Sequence, residues 1–282
     1  QGRSISGTQH EDKPADPIIV HPDVRRMLLT MRAFTEGARA MAVWIARHID
    51  LRDRATDADA RQAADDMVQL LTPIVKAYFS DGGFEIANLC IQVYGGHGYI
   101  RDNGVEQYAR DARIAQIYEG ANGIQALDLL GRKVLLLTKG KCVRDFSKKL
   151  VDFGTKNLRD PKLRPFAWKL LKIAAEWNYL TTRIMLVAAK DRDIVSTASY
   201  DFLMYSGYAM MAYFWALQAG VAKDKLENGG NEPAEFYQAK LATAEFYFDR
   251  MLPSAKAHAD AALKPTKSTM QLKPEHFSFD YE

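Results

Sequence analysis

A single glutamate in a glycine-rich stretch is the residue of this chain best suited to chemistry. Glu119 stands between Tyr118 and Gly120, just after an apolar turn that contains Ile114 and Ile117. A carboxylate in an apolar setting loses solvation, which raises its pKa and makes it a stronger base. Such a base suits removal of a weakly acidic proton beside a carbonyl group. The local pattern alone fits a surface carboxylate beside a helix better, so both interpretations stay open at this point.

Four glycines lie close together before Glu119, at Gly95, Gly96, Gly98 and Gly104. They are consistent with the end of a helix followed by a loop. They are equally consistent with a place where a nucleotide lies against bare backbone. Their spacing is not the dinucleotide-binding fingerprint and no strand precedes them, so the composition of this stretch does not decide between the two.

Several sequence blocks around these residues occur in an order that is typical of one enzyme family. They are Q-V-Y-G-G-H-G-Y from Gln92, R-D-A-R-I from Arg110 and I-Y-E-G-A-N-G-I-Q from Ile117. Together they resemble the signature of the acyl-CoA dehydrogenases. The run H-P-D-V-R-R-M-L-L from His21 resembles a branch of that family that carries an additional helical C-terminal domain.

The resemblance implies an FAD-dependent enzyme that introduces an α,β double bond into an acyl-CoA thioester. Glu119 would remove the α-proton, the flavin would accept a hydride from the β-carbon, and Gly120 would lie against the substrate. A neighbouring subunit's FAD would be contacted by His21 and by Gln92, Val93, Tyr94, Gly95 and Gly96, and further FAD contacts would come from Ala121, Asn122 and Gly123. An electron-transfer flavoprotein or a similar acceptor would take the electrons, and the enzyme would be a homo-oligomer, either a dimer or a tetramer.

The sequence departs from the family pattern at two of these positions. Ala121 stands where the family usually has threonine, and His21 is followed by Pro22 where the family usually has glutamine. Of the cofactor contacts that the resemblance implies, one hydroxyl and one amide are therefore missing. The family also places a helical N-terminal domain and a middle β domain before this region, so the chain is expected to be a C-terminal fragment. By itself it is expected to bind FAD weakly or not at all.

Apolar residues recur at three- and four-residue steps, which predicts helices throughout the chain. The first predicted helix begins at Pro22, and the second follows the N-cap Asp57 and runs to about Phe79, with an interruption or bend at Gly82 and Gly83. Further helices are predicted at 84–94, 110–117, from 124 past 137, 166–190, 195–222 and 233–259, with a loop at 97–105. The predicted fold class is all-α, with an acyl-CoA dehydrogenase C-terminal helical bundle followed by a second helical bundle. Residues 1–20 would form an extended lead-in, residues 21–150 the first domain without its first helix, and residues 151–282 the additional domain with a tail.

Composition argues against several other classes of protein. Lys and Arg number 38 against 35 Asp and Glu, which leaves no basic surface typical of nucleic-acid binding. Two cysteines form neither a disulfide framework nor a CxxC metal site, which favours a reducing, cytoplasmic compartment, and no pair of histidines has metal-ligand spacing. Residues 202–222 are uncharged and long enough for a bilayer, but polar aromatic side chains are spread along them. A buried helix is therefore predicted there rather than a membrane span.

Two alternatives to the dehydrogenase remain at this stage. An acyl-CoA oxidase would pass its electrons to oxygen, and the sequence does not distinguish it from a dehydrogenase. A catalytically silent helical module used for assembly is the second alternative, and the presence of Glu119 argues against it for the enzyme as a whole.

Overall fold

The computed structural model describes residues 2–278, which form helices and turns without any strand. The all-α fold class is therefore confirmed. The helices are α1 (Pro22–Arg54), α2 (Ala58–Tyr94), α3 (Gly96–Tyr99), α4 (Val105–Ile114), α5 (Asn122–Leu127), α6 (Lys141–Asn157), α7 (Arg164–Ala188), α8 (Asp193–Asn228), α9 (Ala234–Phe246), α10 (Ser254–Ala262) and α11 (Lys267–Met270). Two π-helical segments, Asp128–Leu137 and Tyr247–Met251, continue α5 and α9.

The first two helices form a long hairpin, and His21 and Gln92–Gly96 of the predicted site lie at one end of it. The Asp57 carboxylate caps α2 by accepting the backbone N–H of Ala60 at 3.0 Å. The interruption predicted at Gly82 and Gly83 is wrong, because α2 runs without a break to Tyr94. A Cβ atom at Gly82 would lie 2.1 Å from the ring of Phe34 on α1. This glycine therefore serves close packing between α1 and α2 rather than flexibility of the backbone.

The segment between α2 and α4 is more ordered than the predicted loop at 97–105. It contains the single helical turn α3 and a 3-10 turn at Arg101–Asn103. Gly104 follows with φ at +71°, a left-handed conformation that glycine adopts freely, and α4 begins directly after it. The helix predicted at 110–117 therefore begins earlier, at Val105, and ends earlier, at Ile114.

Before α1, residues 2–20 form turns and a short 3-10 helix at Ile18–Val20, where the sequence predicts an extended lead-in. The buried carboxylate of Asp16 accepts backbone N–H groups from Ser4 at 2.9 Å, Gln9 at 3.0 Å and His10 at 2.8 Å. Three charge-assisted hydrogen bonds to one carboxylate fold this segment into turns around it.

Helix α8 contains the uncharged stretch, and most of that stretch is buried, as its composition predicts. It contacts α1, α2 and α5 as well as α7, α9 and α10, so the described residues share a hydrophobic core that crosses the predicted domain boundary. Residue 150 itself is a buried leucine inside α6, and the position of the boundary stays a prediction. Among residues 2–278, none of the helices combines the length and apolar character that crossing a membrane requires.

Candidate active site

Glu119 lies in a tight, strained turn between α4 and α5. Its φ is +51° and that of Gly120 is +88°, so two consecutive residues adopt left-handed backbone conformations. A residue other than glycine is uncommon there, and such strain costs on the order of 1–3 kcal/mol and persists only where surrounding contacts enforce it. A Cβ atom at Gly120 would approach Nε2 of Gln125 to 2.6 Å, which a shift of that flexible side chain can relieve, so the positive φ is the stronger reason for glycine here.

Asn122 fastens the end of this turn to α2. Its buried side chain accepts a hydrogen bond from Nζ of Lys76 at 2.9 Å and donates from Nδ2 to Ser80 at 2.9 Å and Asp81 at 2.5 Å. Its backbone N–H donates to the carbonyl oxygen of Gln116 at 3.1 Å, which closes the turn. The side chain and the backbone N–H of Asn122 are thus both engaged inside the protein.

The sequence leaves two interpretations of Glu119 open, a base in an apolar setting and a carboxylate on the surface, and the structure places the carboxylate on an open surface with apolar neighbours. Glu119 is exposed, while Ile117 is 53%, Tyr118 51% and Ile124 62% exposed. Large apolar side chains that remain this exposed together mark a surface for a partner or a ligand. The apolar surroundings of the carboxylate would be complete only with that surface covered.

The second predicted group lies at the end of α2. Gln92, Tyr94, Gly95 and Gly96 are exposed and Val93 is half-buried. Gly95 has φ at +62° and its N–H donates to the carbonyl oxygen of Gln92 at 3.0 Å, which ends the helix. Added Cβ atoms at Gly95 and Gly96 would meet no atom within 4 Å, so the backbone here is bare and open.

The predicted cofactor residues form two groups rather than one. Gln92 follows Asp81 by eleven residues, about 16 Å along α2 at 1.5 Å per residue. His21 directly precedes α1 as its N-cap residue. Because Phe34 of α1 packs against Tyr78 of α2, the antiparallel hairpin brings His21 to the same end as Gln92. Its Nε2 atom is buried without a hydrogen-bond partner among the described residues. Half-buried Ala121 and exposed Gly123 belong instead with the Glu119 turn.

Two family models match this chain and together leave little of it unmatched. One, "Acyl-CoA dehydrogenase, C-terminal domain", matches residues 4–135, and the other, "Acetyl-CoA dehydrogenase C-terminal like", matches residues 143–273. The 3-methylmercaptopropionyl-CoA dehydrogenase of Ruegeria pomeroyi is 38% identical over 258 residues, which are 91% of this chain and 43% of that protein. This chain belongs to the acyl-CoA dehydrogenase family. The resemblance found in the sequence is thereby confirmed.

Other acyl-CoA dehydrogenases agree with this assignment. The broad-specificity linear acyl-CoA dehydrogenase FadE5 of Mycobacterium tuberculosis is 32% identical over 257 residues, covering 87% of this chain and 42% of that protein. A crystal structure of an acyl-CoA dehydrogenase complexed with FAD from Bacillus anthracis has the same fold over 95% of this chain and 46% of its own, with a TM-score of 0.70 and 17% identity. The chain spans less than half of the length of these relatives.

The residues at both predicted cofactor groups fit a flat aromatic cofactor in part. Open glycine backbone at Gly95, Gly96 and Gly123 leaves room for a ring system, and the exposed ring of Tyr94 adjoins the first two. The exposed amide of Gln92 has no hydrogen-bond partner among the described residues and can donate or accept. Ala121, as the sequence indicates, offers no hydroxyl at the second group.

The sequence-based interpretation missed the α2 residues that support the Glu119 turn. Lys76, Ser80 and Asp81 contact Asn122 from one face of α2, and Gln116 donates from Nε2 to Asp81 at 2.7 Å. Lys76 and Ser80 are four residues apart and therefore share a face of α2, which was the available signal, whereas no local spacing links Asp81 to Asn122.

Proposed function

We propose that Glu119 is the catalytic base of an acyl-CoA dehydrogenase and removes the α-proton of an acyl-CoA thioester. The observation that supports this most directly is the strained Glu119–Gly120 turn, with φ at +51° and +88°, fixed by the buried side chain of Asn122. Strain of this kind collects at functional sites, where the surroundings hold a reactive group in one orientation. The strained residue is also the glutamate of the Y-E-G motif, to which the resemblance to the family gives the role of the base.

The chemistry assigns a distinct task to each residue of the turn. Glu119 accepts the α-proton, and Gly120 lets the thioester approach because it has no side chain. The exposed Ile117, Tyr118 and Ile124 would exclude water once that surface is covered, which makes the carboxylate a better base. When FAD is bound, it supplies the acceptor for the hydride that leaves the β-carbon.

The two groups of cofactor residues are proposed to contact two different FAD molecules. Ala121, Asn122 and Gly123 adjoin the base, while His21 and Gln92–Gly96 lie at the far end of the hairpin, about 16 Å along α2 from Asp81. This separation suits contact with the cofactor of a neighbouring subunit and supports a homo-oligomer. An electron-transfer flavoprotein or a similar acceptor is proposed to reoxidise the flavin.

Replacing the base tests the proposal. In the FAD-loaded enzyme that contains this chain, Glu119→Gln should slow reduction of the flavin by acyl-CoA by about 10²–10⁴-fold, because the amide keeps the size but cannot take a proton at neutral pH. Anaerobic stopped-flow absorbance reports this step, and bound flavin per protein should be unchanged. A variant that bleaches its flavin at close to the wild-type rate would show that another residue is the base. Release of hydrogen peroxide in stoichiometric amounts by the wild type would instead assign an oxidase.

A further inference from the structure

One carboxylate on α2 holds both ends of the Glu119 turn. The Oδ1 atom of Asp81 accepts a hydrogen bond from Nε2 of Gln116 at 2.7 Å, before the turn, and from Nδ2 of Asn122 at 2.5 Å, after it. Hydrogen bonds to an ionised carboxylate are stronger than those between neutral groups. The position of this oxygen therefore determines where the strained segment begins and where it ends.

The other oxygen of Asp81 faces a residue of the C-terminal helices. The hydroxyl of Tyr200, on α8, donates to Oδ2 of Asp81 over a long 3.4 Å. Burial, with the charge of Asp81 beside it, raises the pKa of Tyr200 to about 12, so the hydroxyl keeps its proton and remains a donor at neutral pH. The ring of Tyr200 lies 6.3 Å from that of His258 on α10, and Nδ1 of His258 is 2.8 Å from Oδ1 of Asp201. A polar contact thus links the second family region to the carboxylate behind the turn.

We propose that Asp81 is a positioning residue for the base Glu119, and that α8 helps to hold Asp81 in place through Tyr200. The inference rests on the proposed function, since it concerns the same turn. Glu119 keeps its left-handed conformation only while the surrounding contacts enforce it, and Asp81 provides two of those contacts. Without them the turn relaxes and the carboxylate moves away from the α-carbon of the substrate.

The test compares two helical aspartates, each of which accepts a hydrogen bond from a glutamine side chain. Asp81→Asn keeps the size but loses one acceptor oxygen and the charge. Asp111→Asn changes a carboxylate on the exposed face of α4 whose hydrogen-bond partner among residues 2–278 is Gln107, at 2.7 Å. In the FAD-loaded enzyme, Asp81→Asn should slow flavin reduction by about 10- to 100-fold, the loss expected from a displacement of about 1 Å. The dissociation constant of acyl-CoA should stay within about threefold because binding contacts are untouched. Asp111→Asn should match the wild type both in the rate of flavin reduction and in the dissociation constant of acyl-CoA.

Hydrogen exchange provides a readout that does not depend on activity. In the chain itself, amide exchange over residues 115–122 should become faster in Asp81→Asn and stay unchanged in Asp111→Asn. Tyr200→Phe should speed the same amides by a smaller factor because its contact is long. Unchanged exchange in Tyr200→Phe would remove α8 from the proposal. If Asp81→Asn yields no folded protein, Gln116→Ala deletes one donor from the more accessible side and should give the same pattern.

The outcomes separate this inference from the proposed function. Slow flavin reduction in both Glu119→Gln and Asp81→Asn, with faster exchange in the latter, supports both. Slow reduction in Glu119→Gln together with wild-type reduction and exchange in Asp81→Asn overturns the positioning role alone. Wild-type reduction in Glu119→Gln overturns the proposed base and the positioning role with it.

Discussion

At the scale of single residues, the Glu119–Gly120 turn combines a residue that avoids left-handed backbone with one that adopts it freely. The left-handed conformation costs a glutamate roughly 1–2 kcal/mol relative to a right-handed one, while glycine bears almost no such cost. The motif identified both residues from the sequence, because a pattern of residue types needs no coordinates. It could not identify Asp81, which lies 35 residues from Gln116 and 41 from Asn122, beyond any rule of local spacing.

Gly120→Ala should destabilise the chain by about 1–2 kcal/mol, because alanine at φ +88° is strained and its Cβ would crowd Nε2 of Gln125. Thermal unfolding followed by circular dichroism should show a midpoint lower by roughly 2–6 °C for a chain of this size. Gly123→Ala is the matched control, since an added Cβ there meets no atom within 4 Å and the backbone is helical. Equal midpoints for the two variants would mean that the turn carries no strain.

At the scale of helices, the sequence predicted the type of secondary structure well, but it predicted poorly where each helix is continuous. The three- and four-residue periodicity correctly indicated helices along most of the chain, because it reflects which face of each helix is buried. Gly82 is interpreted from the sequence as an interruption or bend because glycine lowers helix propensity, but the helix continues through it. The reason is its contact with Phe34, a residue 48 positions earlier, and no local pattern contains that information.

Two adjacent glycines of α2 allow this explanation to be tested. Gly82→Ala should destabilise the chain by about 1–3 kcal/mol, since its Cβ would lie 2.1 Å from the buried ring of Phe34 and force that ring to move. Gly83→Ala meets nothing within 4 Å and should stabilise the helix by about 0.5–1 kcal/mol. Urea unfolding of both variants measures the difference. If Gly82→Ala is the more stable of the two, close packing is not the reason for this glycine.

At the scale of the whole molecule, α8 joins the two regions that the family models match separately. A Cβ atom at Gly37 of α1 would lie 2.2 Å from Sδ of Met211, and one at Gly207 of α8 would lie 2.3 Å from the ring of Tyr78 on α2. The sequence predicted that this uncharged helix is buried, but not that it packs on the first region as well as the second. The composition of α8 shows that it is apolar on all sides and therefore buried. Which helices pack against it depends on the tertiary arrangement, which composition does not contain.

This shared core predicts that residues 4–135 and 143–273 unfold together. Nε1 of the fully buried Trp215 on α8 donates to the carbonyl oxygen of Ala33 on α1 at 2.9 Å, so Trp215→Ala removes a large contact and a hydrogen bond between the regions. It should cost about 3–5 kcal/mol. Hydrogen exchange in increasing urea should show the amides of α1 and α7 losing protection at the same urea concentration. In Trp215→Ala, that concentration should be lower than in the wild type. Trp168→Ala, at a side chain that is 54% exposed, should change stability by no more than about 0.5 kcal/mol. Separate transitions for α1 and α7, with Trp215→Ala shifting only one of them, would show that the two regions are independent folding units despite their common core.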